Sequence, residues 1–134
     1  MARAEAQLTD AIGAYQRGNR GEVLRICRAI LVRTPDDPGA LYVMGVAQAD
    51  AGELYEALRA LERAVALSPD RASFHITLGN LYLRLERNAA AAGSFRKALV
   101  IAPQSAPAHA NLATTLKRQG LLEACLFRHQ QQPA

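Results

Sequence analysis

Apolar residues recur along this chain at intervals of three and four positions, which is the pattern of helices with one buried face. The pattern is clearest in residues 38–105, where segment 38–71 aligns with segment 72–105 without a gap. In that alignment Gly45 lies over Gly79, and Pro69 lies over Pro103. A fixed period of about 34 residues predicts a stacked array of helix–turn–helix units.

The period divides the chain into four units within one domain, residues 1–134. The predicted units are a degenerate 4–37, then 38–71, 72–105 and a truncated 106–134. We therefore expect an all-α solenoid of antiparallel helix pairs, with about 3.5 repeats and roughly seven to eight helices.

The first unit is predicted to form two amphipathic helices joined by a turn at Gly18-Asn19. Its first apolar stripe consists of Leu8, Ala11, Ile12 and Tyr15. In the repeat register, Asp10 occupies a position that is apolar in the later units, and a one-residue slip of the first helix would remove this mismatch. The register of that helix stays open from sequence.

The last unit repeats the first stripe but has only part of a second one. The first stripe consists of His109, Leu112, Ala113 and Leu116. We expect a turn at Gly120 and a second helix starting over 121–127, which is short and frays in the polar residues 129–134. Because a solenoid needs a polar end cap, several leucines are predicted to be partly uncovered. These are Leu116, Leu121, Leu122 and Leu126.

A glycine inside the first helix of each clear unit needs a packing reason, because Gly costs a helix interior roughly 0.5–1 kcal/mol relative to Ala. We expect the second helix to cross closely over Gly45 and Gly79, where no side chain intervenes. The residues predicted at the crossing are Ala57 and Ala91.

No group of residues indicates catalysis, a cofactor or a metal site. His75 and His109 stand one repeat period apart, and we expect both to be buried between paired helices rather than to act as ligands or bases. Cys27 and Cys125 fall at apolar positions and are predicted to be small buried residues. The chain is therefore not expected to be an enzyme.

The formal net charge of +4 is distributed unevenly. Residues 84–134 carry seven basic and two acidic residues, whereas residues 1–83 carry nine basic and ten acidic residues. The basic end could attract an acidic partner, or it could be a solvated helix surface. Basic residues are not interleaved with aromatic ones, so a nucleic-acid partner is not expected.

No apolar run approaches the ~18 residues that span a bilayer. The N-terminal residues 1–13 also lack the apolar core of a secretory signal. The sequence therefore predicts a cytoplasmic location and no membrane partner.

Residues 72–103 resemble a tetratricopeptide repeat, through Leu78-Gly79, Tyr82, Ala91, Phe95, Ala98 and Pro103. Residues 38–69 follow the same pattern, except that Gln48 stands where Tyr is usual. The array also looks similar to the bacterial-type arrays that precede O-linked N-acetylglucosamine transferases. The resemblance implies a right-handed solenoid whose first helices line a concave surface that holds an extended peptide or a partner helix.

On this resemblance, the peptide-binding side chains point from the first helices into the concave surface. They are Tyr42, Val46, Ile76, Thr77, Asn80, Arg84, Asn111, Thr114, Lys117 and Arg118. The surface is apolar toward its N-terminal end and basic toward its C-terminal end, where Arg84, Lys117 and Arg118 can pair with a carboxylate. The basic set with which co-chaperone domains grip chaperone tails is not matched, because Leu8 and Val43 stand in its place.

The sequence thus predicts a protein–protein interaction scaffold whose partner is a protein or peptide, with acidic character favoured near the basic end. Two alternatives stay open. The chain could be the N-terminal substrate-recruiting region of a larger glycosyltransferase or sulfotransferase, or it could form homo-oligomers through an uncapped C-terminal edge.

Overall fold

The computed structural model describes residues 2–131 of the chain, with side chains described over residues 3–128. This part of the chain consists of seven α-helices and contains no strand, so the predicted all-α fold is confirmed. The helices are α1 (Ala2–Gln16), α2 (Arg20–Arg33), α3 (Pro38–Asp50), α4 (Leu54–Leu67), α5 (Ala72–Arg84), α6 (Asn88–Ile101) and α7 (Ala106–Gln131).

The helices α2 and α3 begin where a side chain accepts a hydrogen bond from one of their free N–H groups. Pro38 starts α3, and the side chain of Asp37 accepts a hydrogen bond from the N–H of Ala40 at 3.0 Å. Asn19 caps α2 in the same way, by accepting from the N–H of Glu22 at 3.2 Å. Proline suits the first helical turn because it lacks the N–H that would stay unpaired there.

The turns within the first three helix pairs share one backbone conformation. Gly18, Gly52 and Glu86 have positive φ angles of 73°, 84° and 58°. In each turn the following N–H donates to the carbonyl five residues earlier, at 2.8–2.9 Å, which closes the end of the first helix. These turn residues stand one repeat period apart. The first unit therefore follows the repeat register without the one-residue slip considered above, and Asp10 is exposed.

The second helix of a pair crosses the first at a glycine. A Cβ atom added to Gly45 would lie 2.8 Å from Leu61 Cγ, and one added to Gly79 would lie 2.6 Å from Phe95 Cε1. Leu61 and Phe95 are both fully buried. The predicted close approach is therefore confirmed.

The residues named for that crossing, Ala57 and Ala91, are corrected by the structure. Both are fully buried, but the side chains nearest each glycine belong to residues about one helical turn later. In the first pair the positions equivalent to glycine and its partner are Ala11 and Cys27, which are fully buried in one apolar cluster. In this pair Ala11 is larger than the glycine of the later units, and Cys27 is smaller than Leu61 and Phe95.

The array is curved, and its concave side is formed by the first helices. Successive first helices contact one another, α1 with α3, α3 with α5 and α5 with α7. Within the described residues, no contact joins α2 to α4 or α4 to α6. Because the second helices are spread apart while the first helices touch, the first helices lie on the inside of the curve.

The last unit departs from the pattern, because α7 runs without a break from Ala106 to Gln131. The predicted turn at Gly120 and the separate short helix after it are therefore wrong, and Gly120 is not among the glycines with positive φ. The residues around Gly120 are strong helix formers, and the polar residues after 128 give a folded-back helix little apolar surface to bury. Fraying is predicted over residues 129–134; residues 129–131 are helical, and residues 132–134 lie outside the described residues.

The continuous α7 leaves two predicted core residues exposed. His109 and Cys125 are exposed, because no second helix folds back over this unit. The equivalent histidine of the preceding unit, His75, is only 3% exposed, and the other cysteine, Cys27, is fully buried as predicted. The uncovered leucines are confirmed, since Leu116, Leu121, Leu122 and Leu126 are 42%, 59%, 55% and 55% exposed.

We expect Gly79→Ala to lower the free energy of unfolding by about 1–3 kcal/mol, because the new methyl group overlaps the buried ring of Phe95. The matched control is Gly93→Ala in α6, where no atom lies within 4 Å of the added Cβ. This control should raise stability by about 0.5–1 kcal/mol. Urea unfolding followed by circular dichroism measures both, and equal signs for the two changes would contradict the crossing model.

We expect Glu86→Gly to raise the free energy of unfolding by about 0.5–1 kcal/mol, because glycine adopts the left-handed conformation of this turn without a steric cost. The reciprocal variant Gly52→Ala places a Cβ at the equivalent position and should lower stability by about 1 kcal/mol. A loss of stability in Glu86→Gly would show that the carboxylate contributes a contact that outweighs the strain of the turn.

Candidate functional site

The concave surface contains an apolar cavity in its N-terminal half. The cavity has a volume of about 500 Å³ and lies between the first helices α1, α3 and α5. Its apolar lining includes Leu8, Ile12, Tyr42, Val43, Val46 and Phe74. Side chains from three successive repeats therefore form one apolar surface, which can receive the side chains of a bound segment.

The ring of Tyr42 is held in place on one wall of this cavity. It stacks on Phe74 with a centroid distance of 4.4 Å and an interplanar angle of 16°. Its hydroxyl lies 2.9 Å from the hydroxyl of Thr77, one repeat further on. The guanidinium of Arg71 covers Phe74 at 5.1 Å from the ring centroid. A wall of fixed side chains loses little conformational entropy when a ligand binds.

Tyr15 and Asp50 connect α1 to the end of α3 beside the cavity. The phenol of Tyr15 donates a hydrogen bond to the Asp50 carboxylate. This bond, together with desolvation and the negative charge of Asp50, raises the pKa of Tyr15 to about 12. The Asp50 carboxylate thus already accepts a hydrogen bond from within the chain. The rest of the N-terminal half of the surface is mainly apolar.

Two asparagine side chains are joined across neighbouring repeats in the C-terminal half. The amide nitrogen of Asn111 donates to the amide oxygen of Asn80 at 2.8 Å. This pairing uses one donor and one acceptor, and each amide has further capacity directed to solvent. Asn80 is exposed and Asn111 is half-buried, so both can be reached by a backbone that passes along the surface.

The predicted basic residues differ in their surroundings. The guanidinium of Arg84 donates to the carbonyl of Ala49 at 2.7 Å, which places a positive charge at the end of α3, where cations are favoured. Lys117 and Arg118 are exposed on α7. The hydroxyl of Thr114 donates to the carbonyl of Ala110 within its own helix. Arg84 is exposed but is bonded to the end of α3, and Lys117 and Arg118 add exposed positive charge on α7.

The ten predicted residues all lie on first helices, and the structure joins four of them in pairs: Tyr42 with Thr77, and Asn80 with Asn111. Val46 lines the cavity, and Ile76 is half-buried on the same helix as Thr77. Whether these side chains bind a peptide stays a prediction.

Sequence reasoning missed part of the cavity. Ile12 and Tyr15 belong to the apolar stripe predicted for the first helix, but they are 42% and 38% exposed, and both line the cavity. Phe74 and Arg71 also line it. The repeat period could have identified Ile12, because it stands one period before Val46, which is a predicted concave-surface residue.

Other kinds of site receive no support from the described part of the chain. No three His, Cys, Asp or Glu side chains are grouped there as they would be around a metal ion. The ring of His75 is hydrogen bonded to the carbonyl of Pro69 at 2.7 Å, and His109 repeats this contact with Pro103 at 2.8 Å. Both histidines therefore help to close a loop. No described helix combines the length and apolar character that a membrane span requires.

Comparison with known proteins identifies the repeat. A family model described as tetratricopeptide repeat matches residues 42–106. A solved structure of an O-GlcNAc transferase mutant from Thermobaculum terrenum is 32% identical, with a TM-score of 0.80. The match covers 86% of this chain but only 22% of that transferase chain. The present chain thus corresponds to a small part of that enzyme.

Two further structures share the fold at lower identity. The first repeat domain of Spaghetti (RPAP3), bound to an HSP90 peptide, is 15% identical with a TM-score of 0.83, and the match covers 87% of this chain and 95% of that one. The Yersinia enterocolitica type III secretion chaperone SycD, in complex with a peptide of the translocator YopD, is 13% identical with a TM-score of 0.79. That match covers 89% of this chain and 96% of the chaperone. No curated protein sequence matches this chain.

We expect Tyr15 to ionise at a lower pH in Asp50→Asn than in the wild type, because the variant removes the carboxylate that raises its pKa to about 12. The folded-state pKa is raised above the unfolded value, so the stabilisation is present below about pH 10 and is lost as the pH rises toward 12. Tyrosinate absorbance gives the titration, and Tyr15→Phe isolates this phenol. Identical curves for the wild type and Asp50→Asn would contradict the contact.

Proposed function

We propose, since this chain belongs to the tetratricopeptide repeat family, that it is a protein-interaction scaffold which binds a peptide or helix of a partner protein along its concave surface. The observation that supports this most directly is the apolar cavity between α1, α3 and α5. A cavity of about 500 Å³ is of the size that accepts one or two apolar side chains, and it opens onto the face where first helices meet.

The asparagine pair beyond the cavity suits the backbone of such a segment. A peptide backbone presents alternating N–H and C=O groups, and an amide side chain can donate to one and accept from the other. Because Asn111 already bonds to Asn80, the two amides are oriented before a ligand arrives. The proposed ligand is therefore an extended or helical segment with apolar side chains in the cavity and its backbone beside the two amides.

The charges of α7 favour an acidic residue at the other end of the ligand. Lys117 and Arg118 are exposed on consecutive positions and have no acidic neighbour in the adjacent helical turn. An exposed ion pair contributes little, about 0.2–1 kcal/mol, so these side chains would set the direction of the ligand more than its affinity. Structural neighbours support a ligand of this kind, since RPAP3 and SycD are each solved with a bound peptide.

A second candidate follows from the transferase comparison. A match of 32% identity that covers 22% of the O-GlcNAc transferase chain supports a role as the substrate-recruiting part of a larger glycosyltransferase. In that case the same concave surface would hold the protein substrate and catalysis would belong to another domain. The scaffold itself is assigned no catalytic activity. A cytoplasmic location stays a prediction, as does the absence of a nucleic-acid partner.

The proposal is tested with a peptide array, followed by fluorescence anisotropy of the best-binding peptide. We expect Asn80→Ala to weaken binding by roughly 3- to 10-fold, which corresponds to the loss of one hydrogen bond. For an acidic peptide, Arg118→Glu should weaken binding by up to about tenfold, and more salt should reduce the difference.

The matched control for the charge reversal is Arg96→Glu, since Arg96 is exposed on the second helix α6 and away from the concave face. Binding should be unchanged in this variant. If the peptide binds equally well to Asn80→Ala, Arg118→Glu and Arg96→Glu, the concave surface is not the binding site.

A further inference from the structure

The residue at the start of α5 breaks a pattern that the neighbouring first helices α3 and α7 keep. One repeat period before and after it stand Asp37 and Ser105. Asp37 accepts a hydrogen bond from the N–H of Ala40 at 3.0 Å, and Ser105 accepts one from the N–H of Ala108 at 3.3 Å. At the start of α5 the residue is Arg71, whose side chain has no acceptor atom and makes no cap.

An arginine at this position lowers the stability of the helix start, because Ser and Asp satisfy an N–H group there and Arg does not. Residues that break such a local rule are expected at functional sites. Here the side chain of Arg71 lines the apolar cavity between α1, α3 and α5. Its position therefore directs attention to what the cavity binds.

The guanidinium of Arg71 is held on the aromatic wall of this cavity. It lies 5.1 Å from the ring centroid of Phe74, and the ring of Tyr42 stacks on Phe74 at 4.4 Å. Phe74 is only 3% exposed, so its ring is a fixed support for the charge. A guanidinium has five N–H donors in one plane, and contact with a ring leaves them available to a carboxylate.

The charge of Arg71 has no acidic partner among the described residues. The ion pairs in this part of the chain are Arg20–Glu53, Arg25–Glu22 and Arg63–Asp36. Arg71 belongs to none of them and is exposed. Ser73 is exposed as well and adds a hydroxyl donor to the lining of the same cavity.

The two carboxylates beside the cavity are already used within the chain. Asp37 accepts the N–H of Ala40 at the start of α3, and Asp50 accepts the hydroxyl of Tyr15 at the end of α3. The unpaired charge at the cavity is therefore the positive one of Arg71. An anionic group of a ligand is favoured at this side chain, directly beside the apolar lining.

The ligand must carry both groups close together. Arg71 lies on the cavity wall itself, and the residues of an extended peptide rise about 3.3 Å each. A carboxylate that pairs with Arg71 while an apolar side chain fills the cavity is therefore within two residues of that side chain in the ligand sequence.

We propose that the cavity binds a peptide in which Asp or Glu lies within two residues of a large apolar side chain, and that Arg71 pairs with this carboxylate. The inference rests on the proposed function, because it names the ligand of the same concave surface. It places an acidic residue at the cavity, in addition to the one favoured near α7.

The probe is an array of short peptides with Leu at the centre and random residues elsewhere, acetylated and amidated so that the termini carry no charge. Asp, Asn or Lys is placed in turn at each of the two positions on either side of the Leu. For the wild type we expect about three- to fivefold tighter binding with Asp than with Asn at one of these positions. Lys should bind more weakly than Asn, and high salt should reduce the preference for Asp.

The variant Arg71→Ser removes the charge and supplies the kind of cap that Ser105 supplies to α7. We expect it to lose the preference for Asp. Its melting temperature should stay near that of the wild type, because the gained cap offsets the lost contact with Phe74. Arg71→Lys keeps the charge and should retain part of the preference.

The matched control is Arg87→Ser. Arg87 is exposed at the start of the second helix α6, where it also makes no side-chain cap, and it does not line the cavity. This variant should keep the full preference for Asp. An unchanged preference in Arg71→Ser would overturn the inference, as would an equal loss of preference in Arg87→Ser.

A second set of peptides ends at the Leu with a free carboxylate. Tighter binding of this set than of the Asp set would overturn the inference, because Arg71 would then recognise a chain terminus rather than an acidic side chain.

The variant Ile12→Ser separates this inference from the proposed function. Ile12 lines the cavity and is 42% exposed, so the fold tolerates the change, and every Leu-centred peptide should bind about three- to tenfold more weakly. If Ile12→Ser weakens binding while Arg71→Ser keeps the preference for Asp, the inference fails and the proposed function stands. If Ile12→Ser has no effect, or if no peptide binds the wild type, the proposed function fails and the inference fails with it.

Discussion

The close approach of paired helices at one small residue is the contact on which the rest of the structure depends. Leu61 packs on Gly45 and Phe95 packs on Gly79, at distances that leave no room for a Cβ atom. This contact sets the separation of the two helices in a pair, and a turn with one residue of positive φ joins them. Only then can successive first helices touch along one side, which curves the array and creates a concave surface.

The same geometry explains why the candidate site combines residues from different repeats. Helices that touch bring together side chains that are 31 to 35 positions apart in sequence, as in the Asn80–Asn111 and Tyr42–Thr77 pairs. The cavity beside them needs three first helices at once. Its chemistry is therefore a property of the stack, and a single repeat would present neither the apolar cavity nor the oriented amides.

The end of the array shows what happens when one contact of the series is weakened. In α7 the glycine position is Ala113, and position 129 opposite it is a histidine in the sequence, so the crossing that would hold a folded-back helix loses its apolar partner. A continuous helix through Gly120 is then more stable than a turn there. The helix keeps its backbone hydrogen bonds, whereas a turn would need strong packing of the folded-back helix to compensate for their loss. The leucines beyond Gly120 are left exposed as a result.

The sequence by itself determined local or recurring features: the helical stripes, the capped starts of α2 and α3, the close crossing at Gly45 and Gly79, and the side of each helix that packs in the core. These are local or strictly repeated, so a pattern of residue types is enough to predict them. Only the tertiary structure decided which side chains reach each other across repeats, that Arg84 binds the end of α3, and that Gly120 stays helical. These outcomes depend on a balance between packing and backbone hydrogen bonding among residues far apart in the chain, and no local pattern encodes that balance.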